Sequence, residues 1–259
     1  MARPKVGAAS EEDAFLATYD ASRFPRPSVA VDLVVASVDG DGRLLVLLVK
    51  RKEHPFRGAW SLPGGFLHER ESVPDAAARV VREKTSLTGL QPDEIGSFSA
   101  PERDPRGWIV ALAHLALIPA DRLDEVRAGG AAEDARFWAI EASDEPRGFR
   151  LLPRTAKETA PSLLAFDHDA ILARGLAFLR ARVSSTTLAF GLLPERFSLP
   201  EAQRVVEAIL GRKLDKAAFR TKVLTLGLVR PTSDERRGGA HRPARLYTAA
   251  SGWASAMER

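Results

Sequence analysis

The side chains that could do chemistry gather in two separate stretches. In the first, Leu62-Pro63-Gly64-Gly65 is followed by Glu71 and Arg79 in the spacing Gly-x5-Glu-x7-Arg. Backbone N–H groups around paired glycines can hold phosphate oxygens, and arginine clamps them through paired charge-assisted hydrogen bonds. Arg51, Arg57 and Arg106 lie in or beside the loops flanking this run and are the candidate phosphate ligands, with Gly64 supplying backbone. Trp60 and Phe66 are candidates for stacking on a nucleobase, although either ring also suits a core. Glu71 and Arg79 have the charges for an ion pair tying loop to helix. In the second stretch Lys216 and Arg220 are four residues apart, hence neighbours on one helix face, and Lys222 follows. Beyond them 236–245 places Arg236, Arg237, Arg242 and Arg245 around a Gly-Gly turn, a pattern suited to phosphates or a minor groove. No nucleophilic site competes with these readings. The chain has no Cys, no Ser-His-Asp arrangement stands out, and five His at 54, 68, 114, 168 and 241 are scattered and read as structural.

The elements that must position these groups follow from hydrophobic periodicity and turn residues. Residues 28–38 are Val-rich and read as a buried strand, returned by a strand at 43–52 through the Asp-Gly-Asp-Gly turn between them. Residues 73–87 form a helix with Pro74 in its first turn. Strands are expected at 108–118 and 135–140, and a helix at 167–183 with Asp169 near its start. After the polar 184–187 break, a helix at 198–210 runs from a Ser cap to Gly211, and a second at 214–226 stops at Gly227. On that helix Phe219, Val223 and Leu226 are expected to pack inward. A turn-rich basic segment at 230–245 and a closing strand at 246–247 complete the order of a winged helix.

Composition agrees with two jobs in one chain. At 259 residues there is room for two domains and a sizeable core without disulfides. Residues 184–259 hold 13 Lys/Arg and 7 Asp/Glu, net +6; from chain totals of 38 and 34, residues 1–183 hold 25 and 27, net −2. A basic module on a near-neutral one points to a polyanionic partner. No apolar run reaches the 18 residues of a membrane span, and residues 1–20 lack a secretory apolar segment, so a cytoplasmic protein with no membrane partner is expected. The resulting plan is a flexible lead-in at 1–26, a first domain at 27–183, a second at 184–250 and a tail at 251–259.

The first stretch resembles the Nudix box, G-x5-E-x7-R-E-U-x-E-E-x-G-U with U a bulky apolar residue. Gly65, Glu71, Arg79, Val81, Glu83 and Leu87 match it. The resemblance implies an α/β/α sandwich. It also implies metal ligands on one helix face at three positions, which here are Val80, Glu83 and Lys84. A hydrophobe and a cation at two of them imply a degenerate box, so neither catalytic residues, metal nor cofactor are expected. Ser86 replaces the closing Gly. The run Arg103-Asp104-Pro105-Arg106-Gly107 before a strand is similar to the ADP-ribose branch of that family. Joined to the C-terminal segment, the whole resembles the Nudix-related transcriptional regulators: an α+β chain of Nudix sandwich and winged helix-turn-helix. That likeness implies a homodimeric repressor of NAD-biosynthesis or salvage genes, binding double-stranded operator DNA with ADP-ribose or a related nucleotide as effector. The alternatives are an active ADP-ribose hydrolase and a sugar-responsive regulator of the same architecture. The family's reading helix usually runs Asn-Phe-Arg-Arg-Lys, whereas 218–222 is Ala-Phe-Arg-Thr-Lys, so the operator sequence is expected to differ.

Overall fold

The computed structural model describes residues 10–127, 132–155, 158–236 and 244–250. Its centre is a mixed eight-stranded sheet: β1 (Ser28–Val38), β2 (Leu44–Arg51), β3 (Trp60–Ser61), β4 (Gly64–Phe66), β5 (Asp93–Phe98), β6 (Ile109–Leu117), β7 (Ala132–Ala142) and β8 (Phe149–Leu152). The order is β5-β6-β1-β2-β7-β8, with β3 on β2 and β4 on β1. β1 runs parallel to β6 and antiparallel to β2 and β4, so the strand is paired along its length. Alternation then divides its side chains. Val31, Leu33 and Val35 enter one apolar cluster, Val34, Ala36 and Val38 the other.

A helix covers each face. α2 (Val73–Thr85) begins at Ser72, whose hydroxyl accepts the Asp75 N–H, and buries Ala76, Ala77, Val80 and Val81 at helical spacing. α3 (His168–Arg182) buries Ile171, Leu172, Leu176 and Leu179 on the opposite face. Each of these Val, Leu and Ile side chains contributes roughly 1.5–3 kcal/mol when fully buried. This is the expected three-layer sandwich. Within the lead-in, residues Glu11–Thr18 form a two-turn helix, α1, held by a reciprocal Ser10–Asp13 cap, with none of its residues buried.

After α3 the chain makes a 3₁₀ turn (Leu188–Leu192), then α4 (Leu199–Leu210), α5 (Lys216–Thr225) and the antiparallel pair β9 (Val229–Arg236) and β10 (Ala244–Ala249). Thus 230–245, expected to be mostly turn, begins as a strand; its polar sequence hid the pairing with β10. Phe197 and Tyr247 exchange backbone hydrogen bonds at 3.0 and 2.8 Å, an isolated bridge that ties the entry to α4 to the wing. The apolar core does not stop at residue 184. Leu188, Phe190, Leu199, Val205, Val206 and Ile209 belong to the same cluster as α3 and the sheet. Arg180 Nε, on α3, donates to the Ile209 carbonyl of α4 at 3.2 Å.

Candidate functional site

A cleft of about 250 Å³ opens where β4, the ends of β1 and β2, and the 103–106 loop meet the start of α3. Gly64 is required there by close approach: a Cβ would lie 2.3 Å from Asp32 Oδ1 and 3.1 Å from the Val31 carbonyl oxygen. Arg51, at the end of β2, donates through Nε to the Pro55 carbonyl at 2.7 Å, and its guanidinium lies 4.8 Å from the centre of the Phe166 ring. Burial, and then the neighbouring Arg106, push its pKa below the usual arginine value. Arg106 is clamped by Asp104, with Nε and Nη2 at 2.9 and 2.6 Å from its two oxygens. Its guanidinium sits 4.9 Å from the Phe66 ring and 5.4 Å from that of Phe166. The cleft therefore offers cations and aromatic faces together, the chemistry that holds an anionic, ring-bearing ligand.

Beneath it lies a buried polar cluster. Arg103 donates to both oxygens of Asp167 at 2.9 and 2.7 Å and to Asp32 at 3.2 Å. Burial opposes the guanidinium charge, but the hydrogen bonds to Asp167 and the charge of Asp32 more than offset it, and the pKa is raised. His168 Nδ1 accepts the Leu62 N–H at 2.9 Å, which leaves its proton on Nε2, 3.7 Å from Asp32. Burial pushes the His168 pKa down, so the ring stays neutral.

The box itself is locked by Arg79. Its Nε lies 2.6 Å from Glu71, Nη1 3.2 Å from Glu83, and Nη2 2.8 Å from the Phe66 carbonyl. The Arg79 hydrogen bond, and then the His68 N–H, hold the Glu71 carboxyl down to about 2. Val80 is fully buried in the apolar cluster under the sheet, and Lys84 lines the cleft. A divalent ion at this place would meet hydrocarbon, one carboxylate already paired and one ammonium. The residues do not fit a metal, and among the described residues no group of three His, Asp or Glu is gathered to hold one.

Of the expected ligand residues, the fold brings Arg51, Gly64, Phe66 and Arg106 to this cleft, together with Gly65 and Lys84 from the box. Two do not arrive. Trp60 turns into the core, edge-on to Trp138 at 5.2 Å, because β3 pairs with β2 and presents it to the α3 side. Arg57 is exposed in the β2–β3 turn, outside the cleft lining. His168, grouped with the scattered structural His, is buried and lines the cleft. Asp32 and Phe166 were missed; a lone carboxylate within Val-rich β1 was the available signal for the first, and Phe166, held at φ 57°, had none.

In the second module, Asp215 caps α5 by accepting the Ala218 N–H at 2.8 Å. Phe219 and Val223 pack inward, while Lys216, Arg220 and Lys222 are exposed. Leu226, expected to pack inward, is 50% exposed because α5 ends at Thr225 and the chain turns away. Arg245 is exposed on β10. Arg236 lies at the end of β9, and Arg237 and Arg242 fall outside the described residues. A helix pair presenting a basic second helix beside a hairpin is the geometry that enters a DNA groove.

A Nudix-type sandwich joined to a winged helix is thus the class that fold and site define. Residues 26–155 match the NUDIX domain family, and residues 189–249 match the NrtR DNA-binding winged helix domain. The chain is 35% identical over 241 residues, 92% of it and 88% of the relative, to the ADPR responsive transcriptional repressor NtrR of Acinetobacter baylyi. The structure of Shewanella oneidensis NrtR complexed with a 27mer DNA superimposes with a TM-score of 0.68 at 30% identity, covering 86% of this chain and 93% of that one. The Nudix domain of the same protein complexed with ADP ribose gives 0.50 at 28% identity, covering 66% and 99%. The chain belongs to the Nudix-related transcriptional regulator (NrtR) family.

Proposed function

We propose that this protein is a repressor that binds double-stranded operator DNA as a cytoplasmic homodimer and is released by ADP-ribose or a related nucleotide. In this reading residues 27–183 sense the ligand, residues 184–250 bind DNA, and the regulated genes serve NAD biosynthesis or salvage. The two relatives named above, one ADPR responsive and the other crystallised with DNA and, as its Nudix domain, with ADP ribose, support both halves. The observation that carries it is the state of the Nudix box: the loop and cationic cleft that hold a diphosphate are kept, while the metal-ligand positions are a buried Val80, an Arg79-paired Glu83 and Lys84. In this reading the site binds without turning over, because the box, among the described residues, keeps no carboxylate set to hold the divalent ion that would activate water against a pyrophosphate.

Two measurements on the full chain test this. Upstream duplex DNA should be shifted in a gel, with affinity falling by roughly 10³-fold or more between about 50 and 200 mM salt if about six phosphates are neutralised. The Lys216→Ala/Arg220→Ala variant should lose that shift. ADP-ribose turnover with Mg²⁺ or Mn²⁺ should stay near background; robust turnover would make the protein a hydrolase.

A further inference from the structure

The cations of the cleft are not equivalent. Arg103 and Arg106 are spent on Asp32, Asp167 and Asp104. Arg51 makes its hydrogen bond to a carbonyl rather than to a carboxylate. Lys84, partly buried on the lining, forms no hydrogen bond or ion pair with any described residue. Its position matters because it is one of the three helix sites where the Nudix box places metal ligands. The adjoining one is closed by hydrocarbon: the Val80 Cγ2 methyl lies 3.1 Å from where a Cβ on Gly65 would stand. The third, Glu83, is held by Arg79 at 3.2 Å. No free carboxylate of the box therefore opposes an anion.

We infer that the Lys84 ammonium takes the place of the divalent cation, so that with Arg51 it binds the diphosphate group of the ligand directly and without metal. This rests on the reading of the cleft as a nucleotide site and names how that site holds its charge. An ammonium is a compact point charge with three donors, able to meet oxygens of both phosphates where a bridging ion would otherwise sit. Partial burial strengthens such charge-assisted bonds relative to open water. One univalent charge polarises the phosphorus far less than a divalent ion and carries no water to attack it, so the same exchange that keeps binding removes hydrolysis.

The test is calorimetry on the full chain with two probes, ADP-ribose and inorganic pyrophosphate, each in excess EDTA and in millimolar Mg²⁺. The wild type should bind both probes in EDTA at least as tightly as in Mg²⁺, since free Mg²⁺ competes for the phosphates. Lys84→Met should weaken both by about 10- to 100-fold, the worth of one hydrogen bond to a charged group. Lys84→Arg, which keeps the charge, should bind at least about threefold more tightly than Lys84→Met. Wild-type binding that needs Mg²⁺, or Lys84→Met binding like wild type, would overturn the inference while leaving a nucleotide site intact. Pyrophosphate bound through Lys84 with no binding of ADP-ribose would uphold it and refute the proposed effector. Binding of neither probe would end both.

Discussion

Arg103 holds together three segments that the chain brings in from far apart. Its partners Asp32 and Asp167 stand 71 and 64 residues away, and its side chain is only 3% exposed. Removing it would leave two carboxylates facing each other with no cation between them, one of them buried. Arg103→Ala should therefore cost about 3–5 kcal/mol in denaturant unfolding. Arg150 makes a bond of similar length, 2.8 Å to Glu141, yet both side chains are about half exposed. Arg150→Ala should cost less than about 1 kcal/mol, because water replaces what is lost. A comparable loss for the two would mean that burial does not set the worth of the Arg103 cluster. The cluster also shows why Arg103 was legible only as part of the Arg103–Gly107 run: sequence spacing cannot reveal contacts across such separations.

At the scale of elements, α2 carries a local conflict with its surroundings. Ser86 ends it in the left-handed region, φ 63°, donating its N–H to the Arg82 carbonyl. That is where the Nudix box has Gly, since a Cβ in this conformation costs roughly 1–2 kcal/mol. Ser86→Gly should raise stability by about 0.5–1 kcal/mol, the gain being reduced by the greater freedom of Gly in the unfolded chain. A drop in melting temperature would show that the serine is held by something other than backbone geometry.

The helix itself was readable from Ser72, Pro74 and the apolar spacing, as were β1, β2 and β6 from their long aliphatic runs. β5, with the sequence Asp-Glu-Ile-Gly-Ser-Phe, and the four-residue β8 were not, because their order comes from pairing with β6 and β7 rather than from their own pattern. Within the cleft, the box residues and Arg51, Phe66 and Arg106 were readable. Trp60 was misplaced because strand pairing, not residue type, decided which face it took.

For the molecule as a whole, α3 is the physical link between the two modules. Its N-terminal end meets the cleft through Asp167 and His168, which bond Arg103 and the Leu62 backbone. Its apolar face shares one core with α4, and Arg180 reaches the carbonyl end of α4. A ligand drawing Arg51 toward its phosphates would alter the balance of charges around Asp32, which Arg103 ties to Asp167, and so the seat of α3. Ligand can weaken DNA binding only by favouring one arrangement of this helix over another. In a dimer, half-sites must lie about one helical turn apart or a multiple of it, so a small rotation of α3 would cost contacts on one half.

Thermodynamic reciprocity gives the most direct test of that central claim. The affinity of the full chain for upstream duplex DNA would be measured with and without saturating ADP-ribose, and its affinity for ADP-ribose with and without saturating DNA. Both should fall by the same factor, between about 5 and 150, for a coupling of about 1–3 kcal/mol. If ADP-ribose binds equally tightly whether or not the protein is on DNA, the cleft does not control the winged helix, and the protein is not a repressor induced through it.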